Sequence, residues 1–254
     1  MRVVTALLFV ALVAAGVWSF AVAPARGWWM PAPVSSYGGD VDRLFTWILW
    51  IVAFFFAATI LCLAWIVWRG GRARGSGRPV HGHARLELAW TIVPAAILIA
   101  LAFAQVSLWN EMQAERGRVG PPFARVRAAQ FEWRFTYPGP DGRFDTGDDL
   151  ERPYELVVPV GERIVLSLAS RDVIHGFFVP AFRLKQDVVP GVTITTWFEA
   201  RETGSYDLLC TQLCGFGHYQ MAGKVRVVSR EDYATFLAAE SAARFTNGQG
   251  DARK

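Results

Sequence analysis

At 254 residues, with 53% hydrophobic side chains and a net charge of +4, the chain is too apolar for an ordinary soluble domain and too weakly basic for a nucleic-acid binder. The apolar surplus lies before residue 110, so it signals membrane segments rather than one very large core. No Cys-x-x-Cys-His run occurs, which excludes a c-type haem attached to this chain.

Residues 1–23 open with Met-Arg and then run apolar, ending in Ala21-Val22-Ala23. A small-residue cleavage site after such a run reads as a secretory signal peptide; the competing reading is an uncleaved first membrane helix. Residues 24–43 form an exported linker bearing Pro, Gly and Ser. Residues 44–68 then give 25 positions without a charge, enough to span about 30 Å of hydrocarbon with some tilt. Trp47, Trp50, Trp65 and Trp68 suit the two interfaces. Arg69, Arg72, Arg74, Arg78 and Arg85 follow in a Gly-rich loop, which the positive-inside rule places in the cytoplasm. His81 and His83 share that loop and read as solvated side chains.

A second apolar segment runs from 88 to about 108, with Pro94 inside it. Two spans with a cytoplasmic loop, a hairpin over 44–110, place both flanks outside a bacterial-type cell membrane. Glu87 stands at the cytoplasmic mouth of the second span. It reads either as an interfacial charge solvated by headgroups or as a functional ionisable group at a membrane segment.

From Arg125 the period shortens to two. Phe131, Trp133, Phe135 and Tyr137 fall on one strand face, with Glu132, Arg134 and Thr136 on the other. Pro138-Gly139-Pro140-Asp141-Gly142 turns the chain. Further strands are predicted at 155–160, 163–169, 193–199, 205–210 and 223–228, punctuated by Gly161, Pro190-Gly191 and Gly204. Many short strands between turns predict an all-β sandwich or barrel over 120–229. Ser229, with Asp232 three residues on, reads as the N-cap of a short C-terminal helix ending near residue 243, before a polar tail at 245–254.

The chemistry is concentrated in Cys210-Thr211-Gln212-Leu213-Cys214-Gly215-Phe216-Gly217-His218-Tyr219-Gln220-Met221, with His175 upstream in Asp172-Val173-Ile174-His175. Thiolate, imidazole and thioether are the donor set that suits copper. A mononuclear blue-copper site uses one cysteine, whereas this loop carries two. Two thiolates can bridge two copper ions, two histidines can cap one ion each, and Met221 and a backbone carbonyl can supply weak axial donors. The residue count therefore fits a dinuclear copper centre better than a mononuclear one. A Cys210–Cys214 disulfide and a structural zinc site at Cys210, Cys214, His175 and His218 remain alternatives on these residues alone. A thiol-redox copper carrier would show βαβ alternation, which is missing here.

The whole pattern resembles subunit II of haem–copper cytochrome c oxidases. The family loop Cys-x-Glu/Gln-x-Cys-x-x-x-His-x-x-Met is matched at Cys210, Gln212, Cys214, His218 and Met221, and the upstream Asp-Val-Ile-His at His175. The resemblance implies a membrane helical hairpin plus a cupredoxin-like β-domain with a short C-terminal helix. It implies two copper ions bridged by Cys210 and Cys214, one served by His175 and Met221, the other by His218 and the carbonyl of Gln212. It further implies cytochrome c as electron donor, oxidase subunit I, with subunit III, as partner, haem only in subunit I, and a proton path whose mouth is Glu87. The chain departs from the family at two positions. Where many members carry a glutamate that also helps bind magnesium at the subunit I interface, Gln212 stands here. Where many carry Gln-Trp-x-Trp, with the first Trp receiving the electron, this chain has Gln130-Phe131-Glu132-Trp133. Phe131 takes the usual position and Trp133 is the nearest indole, with core packing as the competing reading for both. Asp141, Asp145, Asp148, Asp149 and Glu151 form a candidate patch for steering a basic cytochrome, although a solvated turn accounts for them equally well. The copper domain of nitrous oxide reductase shares this kind of loop but carries a large propeller domain. Quinol-oxidase subunit II lacks the ligands. A free-standing periplasmic carrier would have no need of the hairpin.

Overall fold

The period-two pattern becomes two five-stranded sheets because every second residue is apolar and must leave water together with its neighbours on the adjacent strands. The computed structural model describes residues 2–70, 82–114 and 121–251 and divides into two compact units, one of apolar helices and one built on the β-strands. The arginines at 72, 74 and 78 and His81 lie outside the described residues.

In the helical unit, α1 (Arg2–Val22), α2 (Gly38–Gly70) and α3 (Ala84–Met112) are each long and apolar enough to cross a membrane. Phe20 of α1 sits edge-on between Trp29 and Trp50, with ring centroids at 5.1 and 5.4 Å. His83 caps α3, its Nδ1 accepting from the Leu86 amide at 3.3 Å. Glu87 reaches back and accepts from the His83 amide at 3.0 Å, a reciprocal cap that satisfies two otherwise orphaned donors. His83 therefore has a local structural task.

The first sheet has the order β3-β2-β1-β5-β8 and the second β4-β10-β9-β6-β7. Their strands are β1 (Ala124–Ala129), β2 (Glu132–Tyr137), β3 (Leu150–Pro153), β4 (Glu155–Pro159), β5 (Arg163–Ser170), β6 (His175–Val179), β7 (Leu184–Val188), β8 (Ile194–Glu199), β9 (Gly204–Cys210) and β10 (Ala222–Val228). Val126, Trp133, Phe135, Leu156, Leu166, Phe177, Phe198 and Val225 fill the space between the sheets and are at most 1% exposed. Tyr137 ties one sheet to the other: its hydroxyl donates to the Val157 carbonyl at 3.2 Å and accepts from the Val157 amide at 2.7 Å. Ser229 caps α4 (Arg230–Asp251), accepting from the Asp232 amide at 3.0 Å, and Phe236 packs on Tyr137. No proline follows to stop α4, which continues beyond the predicted end at 243.

Three expectations change. Phe131 is not a strand residue: Ala129 pairs with Glu132, so Gln130 and Phe131 are the turn between β1 and β2. β3, β6 and β7 had no sequence signal, because β3 and β7 are edge strands with polar residues and β6 is almost wholly buried. Part of the stretch read as a linker is docked on the sandwich. The Val34 amide donates to the Ala181 carbonyl at 2.8 Å, Ser36 to Glu199 at 2.9 Å, and Tyr37 is 1% exposed against Trp197.

The cross-sheet hydroxyl gives a direct test. Tyr137→Phe leaves the buried Val157 amide without its partner and should cost about 1–3 kcal/mol in urea unfolding. A loss below about 0.5 kcal/mol would show that the bond does not tie the sheets.

Candidate metal centre

The metal loop is the connection between β9 and β10. Leu209 pairs with Ala222, and the Cys210 amide donates to the Met221 carbonyl at 3.1 Å, so the two ends of the ligand stretch are clamped together. β6 pairs with β9 on its other side, with Phe177 opposite Cys210. His175 lies two residues before Phe177 and so shares its face, arriving beside the loop fully buried. Strand pairing thus closes a gap of 35 residues between His175 and Cys210.

The donor atoms converge. Cys210 Sγ lies 3.9 Å from Cys214 Sγ and 3.9 Å from His175 Nδ1. Cys214 Sγ lies 3.6 Å from His218 Nδ1 and 3.8 Å from Met221 Sδ, and His175 Nδ1 is 3.1 Å from Met221 Sδ. The Cys210 thiol donates to the Gln212 carbonyl at 3.3 Å. All six sequence-predicted ligands therefore meet in one place. The cysteines are free thiols, not a disulfide. Ligand atoms of His175, Cys210 and Cys214 lie within 4.8 Å of one another, and His218 joins through Cys214. The residues fit a soft metal: two thiols, two imidazoles and a thioether in a partly buried pocket.

Second contacts fix the ligands. His175 Nε2 donates to Asp172 Oδ1 at 2.8 Å, which leaves the Nδ1 lone pair facing the sulfurs. Asp172 also accepts from the amides of Gln130 and Val173, both at 2.7 Å. Burial works against its charge, but these bonds, the one from His175 foremost, outweigh it and hold the carboxyl below the usual aspartate range. Burial, and then the neighbouring Cys210, push the Cys214 thiol up to about 11. Loading a metal must therefore displace protons, which makes affinity rise with pH. The Gln130 amide group donates to the Cys214 carbonyl. Asp172 and Gln130 were not singled out as site residues from the sequence; the i, i+3 spacing of Asp172 and His175 was the available signal.

The aromatic residues divide. Trp133 is fully buried, edge-on to His175 at 6.2 Å, so it offers no surface to a donor protein. Phe131 is half-buried and packs against the loop at Gly215 and Gly217. A Cβ on Gly217 would come within 2.5 Å of its ring, and one on Gly215 within 3.1 Å. The rings that do face outward belong to the loop itself, Phe216 at 97% exposure and Tyr219 at 75%.

The acidic residues do not surround Phe131. That residue precedes β2, whereas Asp141, Asp145, Asp148 and Asp149 follow it and Glu151 pairs with Thr136 near its end. A six-residue strand separates them, about 20 Å. Several are also engaged locally. Asp145 pairs with Arg125 at 2.7 Å, Asp149 accepts from the Asp145 amide at 2.8 Å, and Glu151 lies 3.5 Å from Arg134. Gln212, which stands where many family members carry a magnesium-binding glutamate, donates its side-chain amide to the Asp187 carboxylate at 3.1 and 3.2 Å. Glu87 belongs to the helical unit, in the first turn of α3.

A β-sandwich that closes a two-cysteine loop, in a chain with apolar helices long enough to span a bilayer, defines a membrane-anchored β-domain with a candidate metal site. Residues 130–228 match the family described as Cytochrome C oxidase subunit II, periplasmic domain, and residues 25–108 the corresponding transmembrane domain. The chain belongs to the cytochrome c oxidase subunit II family. It is 30% identical over 236 residues to the alternative cytochrome c oxidase subunit 2 of Bradyrhizobium diazoefficiens, covering 83% of each chain. It is 34% identical to cytochrome c oxidase subunit 2 of Cereibacter sphaeroides, over 75% of this chain and 72% of that one. A crystal structure of the periplasmic domain of subunit II from Bradyrhizobium japonicum is 29% identical, with a TM-score of 0.43, and covers 50% of this chain and 99% of that one.

The seat of Phe131 yields a paired test. Gly217→Ala should force the ring or the loop aside and lower copper content, whereas Gly217→Ala in a Phe131→Ala background should load normally. Equal copper in both variants and the wild type, measured per chain, would show that the ring does not constrain the loop.

Proposed function

We propose that this chain is the electron-accepting subunit of a cytochrome c oxidase, holding two copper ions between Cys210 and Cys214. The observation that carries this reading is that the two histidines contact different thiols, His175 reaching Cys210 at 3.9 Å and His218 reaching Cys214 at 3.6 Å. One tetrahedral zinc would draw both histidines to a single point; two ions sharing two sulfurs need one histidine on each side. Met221, beside both Cys214 and His175, and the Gln212 carbonyl, beside Cys210, are the weak donors. Bound copper would supply a one-electron carrier whose charge is spread over both thiolates.

The protein's task is to hold that donor set still. Asp172 fixes the His175 ring, Gln130 holds the Cys214 carbonyl, and the Cys210–Met221 clamp closes the loop. A shell that does not move between redox states keeps reorganisation small. The exposed rings of the loop and the half-buried Phe131 give a donor cytochrome an apolar approach, and subunit I of the complex is the acceptor. The acidic residues beyond β2 are left a longer-range steering role, which weakens with salt. Residues 1–23 serve as an export signal, a reading supported by the family match that begins at residue 25.

Cys214→Ser should lose the copper pair, because one thiolate cannot bridge it; two coppers per chain with an unchanged visible spectrum in that variant would remove the assignment. In this reading Glu87 serves the mouth of a proton path into subunit I. Glu87→Gln keeps an oxygen to accept from the His83 amide, so it should preserve the helix cap while slowing steady-state turnover at unchanged copper content. Wild-type turnover would leave Glu87 with its capping role alone.

A further inference from the structure

Gln212 sits between the two cysteines, and its backbone oxygen is 3.3 Å from Cys210 Sγ. Its side chain leaves the loop for β7, where Nε2 donates to both oxygens of Asp187 at 3.1 and 3.2 Å. The route is open because Gly176 stands opposite Asp187 in the β6–β7 register. A Cβ at Gly176 would come within 2.3 Å of Thr211 Oγ1 and 3.2 Å of the backbone nitrogens of Thr211 and Gln212, so the loop backbone lies directly on the sheet there. The Thr211 amide donates to the Gly176 carbonyl at 3.1 Å. The Cys210–Thr211 peptide is thus held by β6 and the Gln212 side chain by β7. Holding two adjacent residues from two strands restricts where the Gln212 carbonyl can point.

We propose that Asp187 is a positioning residue of the metal centre: by gripping the Gln212 side chain from the edge strand, it sets the Gln212 carbonyl beside the Cys210 sulfur as a weak donor. The inference rests on the dinuclear copper reading and gives that site a supporting contact outside the ligand loop. The grip requires an amide at 212 and an acceptor at 187. Asn at 187 keeps one acceptor oxygen, whereas Ala keeps none.

The test uses the full chain in the purified oxidase, with copper per chain, the copper hyperfine and visible spectra, and the rate of copper loss to a chelator as readouts. Asp187→Ala should keep two coppers, shift both spectra and release copper roughly tenfold faster, the usual scale for losing a partner of a ligand. Gln212→Ala should give the same change. The double variant should go no further than either single, as two halves of one contact require. Asp187→Asn should stay close to wild type, which separates the grip from a general loss of structure. Spectra and release rate unchanged in Asp187→Ala or Gln212→Ala, or effects that simply add, would overturn the proposal. If Asp187→Ala does not accumulate, Gln212→Ala and Asp187→Asn decide it: a shifted spectrum in the first with a wild-type second supports the grip, and any other pairing overturns it. A wild-type protein without a copper pair contradicts the proposed function instead.

Discussion

The site depends on one hairpin closure. The bond from the Cys210 amide to the Met221 carbonyl forces the intervening residues to bulge, so two thiols, an imidazole and a thioether crowd into a small volume. Without that closure the motif would be a flexible loop, and gathering its donors would cost about 1–2 kcal/mol of backbone entropy per residue. The closure in turn stands on β9, which is held between β10 and β6 in the second sheet. The same pairing that closes the loop brings His175 to it. Sheet register is therefore the physical link between a sequence-distant histidine and the cysteines.

Around this closure the protein divides labour between burial and exposure. Cys214, His175 and Met221 are buried, which fixes their geometry and raises the cost of an uncompensated charge. Polar groups that do not touch the ligand sulfurs answer that cost: Asp172 takes the outer nitrogen of His175, and Asp187 takes the Gln212 amide. Phe131 seals the glycines of the loop from above, while Leu213, Phe216 and Tyr219 remain at the surface. The proposed exchange of electrons with another protein suits this asymmetry, buried on the inside and thinly covered on the outside.

The candidate donor set was legible because its residues are local: Cys210, Cys214, His218 and Met221 share one loop, and short motifs survive in sequence. The strands with alternating or long apolar runs were legible for the same reason. What failed was information that only register supplies. The alternation at Phe131, Trp133, Phe135 and Tyr137 continues unbroken through a turn, so parity alone could not show that Phe131 leaves the strand. Nor could it show which aromatics would be sealed inside, as Trp133 is. The acidic residues follow Tyr137 closely in sequence, yet a strand's length sets them far from the loop. Segment 33–37 docks through backbone bonds and a few isolated side chains, Ser35 and Tyr37 among them, which make no periodic pattern, and β7 reads as polar because it is an edge.

The account's central claim is that the two thiols share two metal ions, each with its own histidine. An electron paramagnetic resonance spectrum of the oxidised, copper-loaded full chain tests it most directly. The account predicts hyperfine structure from one unpaired electron spread equally over two copper nuclei, with two coppers per chain. Hyperfine structure from a single copper nucleus, or a chain that takes up one zinc and no copper pair, would contradict it.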